Sequence, residues 1–504
     1  MKRHIIIHLK ISGCVLLVLL LTTLGLQSCG TKIEQKKQTD FLSIVKAYAD
    51  TMISQGRDVY GSEKSPLFAS ALIRETMKPG QPEDYPEIPG VRKNDRSLTG
   101  ANLIHDIDLL NILYELSVVS GDQKYADEAN KTLQYFFKNC QSPATGLMCW
   151  GEHLYWDFLT DDCGYAPNYD YHETKVWPFW DQSYAVAPQA CWNFTLGEWD
   201  HQINDKTTGD FSRHARYTEH KTYSGFDFPR YAGQMIERWA DAYNRPENKN
   251  KLRREELLTA IKVLFNRMEE NMKLSQSGYL IAGRSPQGDH VNLVWLTSNL
   301  ELARCLEKAA PLMDTELAEQ MRKFALKQDM DFLNAPHKLD SVGGGFAVTL
   351  HAQTGLPRSR SMNKPYSSTW SSGYGYGTHA GTANVCYDRL ESLKKEHPDL
   401  ADRYQLLVLA AADKYLISTP DTSQLLKPNE FSNAIELMLK VYDLTEKDKY
   451  LQRAIYFAKE GIGLFLNDDI PLPKASNQHN HYESITGGPS FMDSLLKIHI
   501  AMNN

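Results

Sequence analysis

Helical periodicity returns after every polar loop from residue 40 onward, and a chain of this kind buries its apolar faces only by stacking one helical hairpin on the next. Leu113-Tyr114-Glu115-Leu116-Ser117, followed by Tyr125 and Ala129, has a counterpart in Val441-Tyr442-Asp443-Leu444-Thr445, followed by Tyr450 and Ala454. Both stretches read as helix, tight turn, helix, and in both the Tyr and Ala stand one helical turn apart. Further pairs are predicted over Tyr231–Tyr243 with Leu252–Met272 and over Val294–Glu307 with Thr315–Leu333. Single helices are expected near Phe41–Ser54, Pro188–Asn204, Thr382–Lys395 and Ala401–Ile417. Strand signals are few, and Tyr279–Ile281 and Phe346–Leu350 read as short β pieces bounded by Gly.

Length alone suggests about three domains, but the monotony of the pattern argues for one repeated unit. An open solenoid would have short, similar turns. Here long loops carry Trp, Tyr, His, Asp and Arg over Gly146–Asp181, Asp205–Phe228, Leu356–Gly381 and Asn467–Ser490, and long loops of that kind in a compact domain are usually functional.

The N-terminus has its own logic. Lys2, Arg3 and Lys10 precede an apolar run from Ile11 to Leu26, the order of a secretory signal, and the run ends in L-Q-S-C-G. This ending resembles the lipobox of bacterial lipoproteins, which implies a signal peptide over 1–28, a lipid on Cys29, a polar tether over 29–40 and one folded domain over 41–504. The protein is then expected at the cell envelope, in the periplasm or on the outer membrane surface. Lys plus Arg total 55 against 62 for Asp plus Glu, a formal charge of −7, so no cationic excess exists for nucleic acid. Six cysteines follow Cys29, with Cys140 and Cys149, or Cys163 and Cys191, nearest in sequence; the pairing is not readable from sequence, and buried free thiols are an equal expectation.

With its repeated hairpins and aromatic, acidic loops the chain resembles the (α/α)6-toroid carbohydrate-active enzymes over roughly residues 40–500. The stretch from G-E-H-L-Y-W-D to F-S-R-H-A-R-Y resembles the uronic-acid-active six-hairpin families among them. The resemblance implies an all-α toroid whose partner is an oligo- or polysaccharide. Because that toroid hosts both glycoside hydrolases and polysaccharide lyases, it leaves the reaction open.

The densest chemistry lies between Thr145 and Tyr217. Trp150, Tyr155, Trp156, Trp177 and Trp180 offer flat apolar faces for sugar rings beside many acids. Glycoside hydrolysis needs a protonated and an ionised carboxyl, and Glu152 and Glu173, each adjoining a histidine (His153, His172), form the first candidate pair. Asp157, Asp181, Glu198 and Asp200 compete with them. Arg213 and Arg216 have the fork that clamps a uronate carboxylate, and His214 or Tyr217 could then remove the α proton in a β-elimination. Trp370, Tyr374, Tyr376 and His379, in a Gly-rich stretch, suit a loop that covers substrate, and His105, Asp106 and Asp108 open a helix that could face the toroid mouth.

No metal-binding motif, phosphate-cradling loop or serine-nucleophile elbow is present, and no cofactor or metal is expected. His479, His481 and Glu483 make the one tight ligand-like cluster. The reading is a lipid-anchored glycoside hydrolase of glucuronidase-like character, with a lyase or a non-catalytic glycan-binding lipoprotein as the alternatives.

Overall fold

The computed structural model describes residues 39–359, 365–370 and 377–503. The signal peptide, Cys29 and nearly all of the tether lie outside the described residues, as do Tyr374 and Tyr376. Helices occupy α1 (Phe41–Ser54), α2 (Ile107–Ser120), α3 (Lys124–Asn139), α4 (Trp180–Val186), α5 (Pro188–Gly197), α6 (Pro229–Asn244) and α7 (Lys251–Met272). They continue as α8 (Leu296–Ala309), α9 (Thr315–Leu333), α10 (His379–Leu393), α11 (Pro398–Ile417), α12 (Pro428–Thr445), α13 (Asp448–Phe465) and α14 (Gly488–Asn503).

Local chemistry sets these boundaries. Asp40 caps α1 by accepting from the Ser43 amide at 3.0 Å, and Asp314 caps α9 through the Leu317 amide at 3.0 Å. Proline stands in the first turn of α5, α6, α11 and α12, where its missing N–H costs nothing. Gly121 ends α2 in the left-handed conformation.

The hairpins α2/α3, α6/α7, α8/α9, α10/α11 and α12/α13 pack side by side, and α14 pairs with α1 to supply the sixth. Contacts run from α6 through α8, α10, α12 and α14 to α2, while α4 and α5 bridge α3 to α6. The result is an (α/α)6 toroid, the fold class expected from the repeats. Gly233 permits the tight α6–α8 contact, since a Cβ there would come within 2.9 Å of the Leu302 backbone. Two apolar clusters fill the molecule, a large one on α1–α3 and α10–α14 and a smaller one on α6–α9.

Each hairpin reverses the chain, so the inner helices α2, α6, α8, α10, α12 and α14 all start at one end of the ring. The β pieces lie in the loops that lead into them. Leu293–Trp295 pairs with Thr349–His351, and Ala71–Leu72 pairs with Tyr482–Glu483. The predicted strand at Tyr279–Ile281 is irregular instead, and the helix predicted over Pro188–Asn204 stops at Gly197, passes through a π turn and becomes a strand at Ile203. Cys149 bonds Cys163, so neither sequence-adjacent pairing occurs, while Cys140, Cys191, Cys305 and Cys386 are buried thiols. The reason is topological: Tyr155–Asp157 turns back antiparallel onto Asp162–Gly164 and returns Cys163 to the segment where Cys149 lies.

Candidate active site

Two short strands build the centre of the site. Tyr171–Glu173 runs antiparallel to His214–Arg216 with Glu173 opposite His214. Side chains alternate across such a pair, so Tyr171, Glu173, His214 and Arg216 share one face, and His172, Ala215 and Tyr217 point into the core. Gly151, at φ +117°, lets the neighbouring loop lie against this pair; a Cβ there would come within 3.1–3.3 Å of Glu173. Asn102 fixes that loop by donating to the Gly151 carbonyl at 2.7 Å. Glu152 and His153 are thereby delivered next to Glu173 and His214.

Arg213 joins the two acids. Its guanidinium lies 3.6 Å from Glu152 Oε2 and 3.7 Å from Glu173 Oε1. Glu173 is fully buried, takes a 2.7 Å contact from Lys175 Nζ and accepts from the Tyr231 hydroxyl at the start of α6. Burial alone would raise its pKa, but Lys175, Arg213 and His214 hold it well below the usual carboxylate range. Lys175 is held above its ordinary value in spite of burial, chiefly by Glu173. Glu152 also pairs with Arg92, which in turn pairs with Asp95 at 2.7 Å.

Two imidazoles flank Glu152. His214 Nε2 and His153 Nε2 each lie 3.6 Å from Glu152 Oε2, and the two rings are 5.1 Å apart. Burial, reinforced by Arg213, lowers the His214 pKa to about 3, so the ring is an uncharged acceptor near neutral pH. Asp95 Oδ1 stands 3.3 Å from His153 Nδ1 and orients that imidazole.

Glu152, His153 and His214 also offer three ligand atoms within 4.8 Å of one another. A carboxylate, an uncharged imidazole and a second imidazole backed by a carboxylate fit a divalent cation. Sequence spacing does not reveal this set, because Glu152 meets His214 only where the Gly151 loop packs on the strand pair. The cluster singled out from sequence has another role: His481 Nε2 bonds Glu483 Oε2 at 2.9 Å, and Arg96 clasps the same carboxylate at 2.8 and 2.6 Å.

Several expected site residues lie elsewhere. His172 is buried with Nδ1 2.9 Å from the Met148 carbonyl, and Tyr217 is buried with its hydroxyl 3.5 Å from the Cys140 carbonyl, so strand alternation removes both from the cluster. Trp156 and Trp177 are core residues, Trp177 donating to Ser183 Oγ at 3.0 Å. Trp180 stacks on Phe194 and Trp370 packs among Tyr415, Phe431 and Phe457. His379 is buried and bonded to Ser367 Oγ at 2.7 Å. Arg216 stays on the cluster's face, bound to Asp170 and lying over the Tyr171 ring.

The competing acids are occupied: Asp157 accepts from Thr99 and the Leu159 amide, Asp181 pairs with Arg245, Asp200 with Lys206, and Glu198 with Arg238. His105 is half-buried and desolvation lowers its pKa to about 4, Asp106 lies fully buried with its pKa pushed well up, and Asp108 accepts from Ser490.

Sequence reasoning missed Arg92, Asp95, Lys175 and Tyr231. Lys175 had a usable signal, standing two residues after Glu173 in the same extended stretch; the others meet the site only through tertiary packing.

Residues 65–261 match the family model described as periplasmic pectate lyase. That span contains every member of the cluster. Solved structures of similar fold include a D-mannose isomerase (8% identity, TM-score 0.45, covering 92% of this chain and 97% of that one). A family 76 α-mannanase from Bacteroides thetaiotaomicron has 10% identity and a TM-score of 0.45, with coverage of 93% and 98%. An unsaturated glucuronyl hydrolase from Streptococcus agalactiae has 11% identity and a TM-score of 0.42, with coverage of 91% and 92%.

Proposed function

We propose that the protein is a carbohydrate-active enzyme that cleaves a uronic-acid-containing glycan by β-elimination. The observation that carries this reading is the Arg213 guanidinium set between two ionisable acids and beside the uncharged His214 imidazole. Elimination needs cations that neutralise the uronate carboxylate, an acceptor for the proton on the adjacent carbon and a donor for the leaving oxygen. Arg213, with Arg92 beside it, takes the first role. His214 Nε2 takes the second, and binding of a uronate to Arg213 removes part of the positive field that depresses its basicity. Lys175, held protonated and partly open to solvent, takes the third. A divalent cation on Glu152, His153 and His214 would, when bound, withdraw charge from the carboxylate and acidify that same proton; acceptance by His214 belongs to the cation-free site.

The match of residues 65–261 to a pectate lyase family agrees with this reaction. Hydrolysis by Glu152 and Glu173, the reading that sequence alone puts first, is the second reading, favoured by the convergence of both acids on Arg213. It requires one acid protonated and one ionised at rest; Lys175, Arg213 and Tyr231 favour the ionised form of Glu173, so the proton would have to sit on Glu152. Mass analysis of products from glucuronic- and galacturonic-acid oligosaccharides separates the two: elimination conserves the summed mass and leaves an unsaturated uronate, and hydrolysis adds water. Binding without cleavage would favour the glycan-binding alternative.

Export and anchoring through Cys29 form part of the proposal, supported by the lipobox-like L-Q-S-C-G. Among the described residues no helix is long and apolar enough to cross a membrane. The variant C29A should leave the membrane fraction, and its retention there would count against the anchor.

A further inference from the structure

An aromatic wall leads away from the cluster. The Tyr171 ring stacks on His214 at 5.7 Å with an interplanar angle of 12°, and Tyr223 meets Tyr171 edge-on at 5.7 Å with the two hydroxyls hydrogen-bonded. Tyr223 also lines a separate open cavity of about 690 Å³, together with Asp205, Asp210, Gly225, Arg267 and Arg284.

The floor of that cavity is firmly built. Asp227 is fully buried; its Oδ2 accepts from Arg267 at 2.7 Å and Asn271 at 3.0 Å, and its Oδ1 from the Arg284 amide at 2.8 Å. Asp210 Oδ1 accepts from Arg267 at 2.7 Å and from the Gly225 amide at 3.0 Å. The Ser285 amide donates to the Gly225 carbonyl at 2.6 Å and ties the two loops together. Both buried carboxylates are thus spent on Arg267, Asn204, Asn271 and backbone amides, and Asp205 accepts from the Thr207 and Thr208 amides. Arg284 donates through Nε to Asn271 Oδ1 at 2.5 Å, and among the described residues no carboxylate oxygen lies within ion-pair distance of its guanidinium. A cation fixed at its backbone, with its Nη edge uncommitted to an acid, beside an exposed tyrosine, has the composition of a subsite for an anionic sugar.

We infer that Arg284 and Tyr223 form a second uronate subsite, which binds a further uronate of the chain whose scissile residue lies at Arg213. The inference rests on the functional reading above and adds that the enzyme favours substrates with more than one uronate. Arg284 lies beyond the span matched by the pectate lyase model.

The test compares wild type, R284Q and R284K on uronate oligosaccharides of increasing length, with KM and kcat from product formation and binding from calorimetry. Wild-type KM should fall as the chain lengthens to reach the cavity. R284Q should abolish that gain, raising KM on the longer oligomers by on the order of 10-fold with kcat nearly unchanged, and should leave the shortest substrate unaffected. R284K should recover part of the gain. The ratio between long and short substrates within one variant does not depend on how much of the protein is folded. An R284Q enzyme that keeps the wild-type length dependence overturns this inference alone, whereas a wild-type protein that neither cleaves nor binds any uronate oligomer overturns the functional reading and this one with it.

Discussion

Arg213 contacts both central acids from a partly exposed position, so its replacement should affect chemistry more than folding. A lysine there keeps the charge but loses the planar fork that spans two oxygens, and R213K is expected to lower kcat/KM by on the order of 10²-fold with a melting temperature near wild type. Steady-state kinetics alongside a thermal melt checks this; an unchanged kcat/KM would remove Arg213 from the mechanism. Five histidines that folding desolvates set the pH dependence of folding. Burial holds His172 and His214 at about 3, and His105, His337 and His379 at about 4, against 6.5 for the unfolded group. Between those values the unfolded chain binds protons that the folded chain does not, so stability is full above about pH 6.5 and falls as the pH drops toward 4. Glu173, depressed below 4.5, adds a further loss only beneath that value. Melting curves from pH 8 to pH 4 should decline from about pH 6.5 downward, with a shallower slope in H172Q; a flat profile to pH 5 would contradict the assignment.

At the scale of elements, the disulfide and one buried ion pair hold the site loops. Cys149 and Cys163 are 14 residues apart and enclose Glu152 and His153. Reduction or the C149S/C163S pair should cost about 3 kcal/mol, the loop-closure figure for this length, and should lower activity by loosening Glu152. Denaturant unfolding with and without reductant measures it. Arg238 on α6 is buried against Glu198 and donates to the Lys175 carbonyl at 2.8 Å, which seats the strand that carries Glu173. E198A leaves that guanidinium buried without its partner and should destabilise the fold by about 3–5 kcal/mol, a loss that calorimetry would register. Glu198 reads from sequence as a possible acid catalyst beside Trp199, and nothing local in G-E-W-D-H-Q tells a structural carboxylate from a catalytic one. The alternation over Tyr171–Glu173 was equally hidden. His172 and Glu173 are neighbours in sequence, and only the pairing with His214–Arg216 decides that Glu173 faces the cluster and His172 the core.

At the scale of the molecule, the hairpin repeat was legible because helical periodicity is a local property of the chain. Phe41–Ser54 and Thr315–Leu333 form where periodicity places them, and the structure shows Asp40 and Asp314 capping them. The short strands were not legible, because two- and three-residue pairings between distant loops leave no periodicity to read. Of the expected site, Glu152, His153, Glu173, Arg213 and His214 converge, for they come from loops entering the same end of the ring. Trp150, Trp156 and Trp177 are core and not a sugar platform, because a large aromatic in a loop looks the same in sequence whether it meets ligand or, like Trp177, packs on Trp150. This mouth is proposed to break a glycosidic bond by removing a proton next to a carboxylate. The most direct measurement is the rate at which an ultraviolet-absorbing unsaturated uronate forms from a uronate oligosaccharide, in wild type and in H214A. A steady rise in wild type that is lost in H214A is the predicted result; saturated products that have gained water would contradict the account.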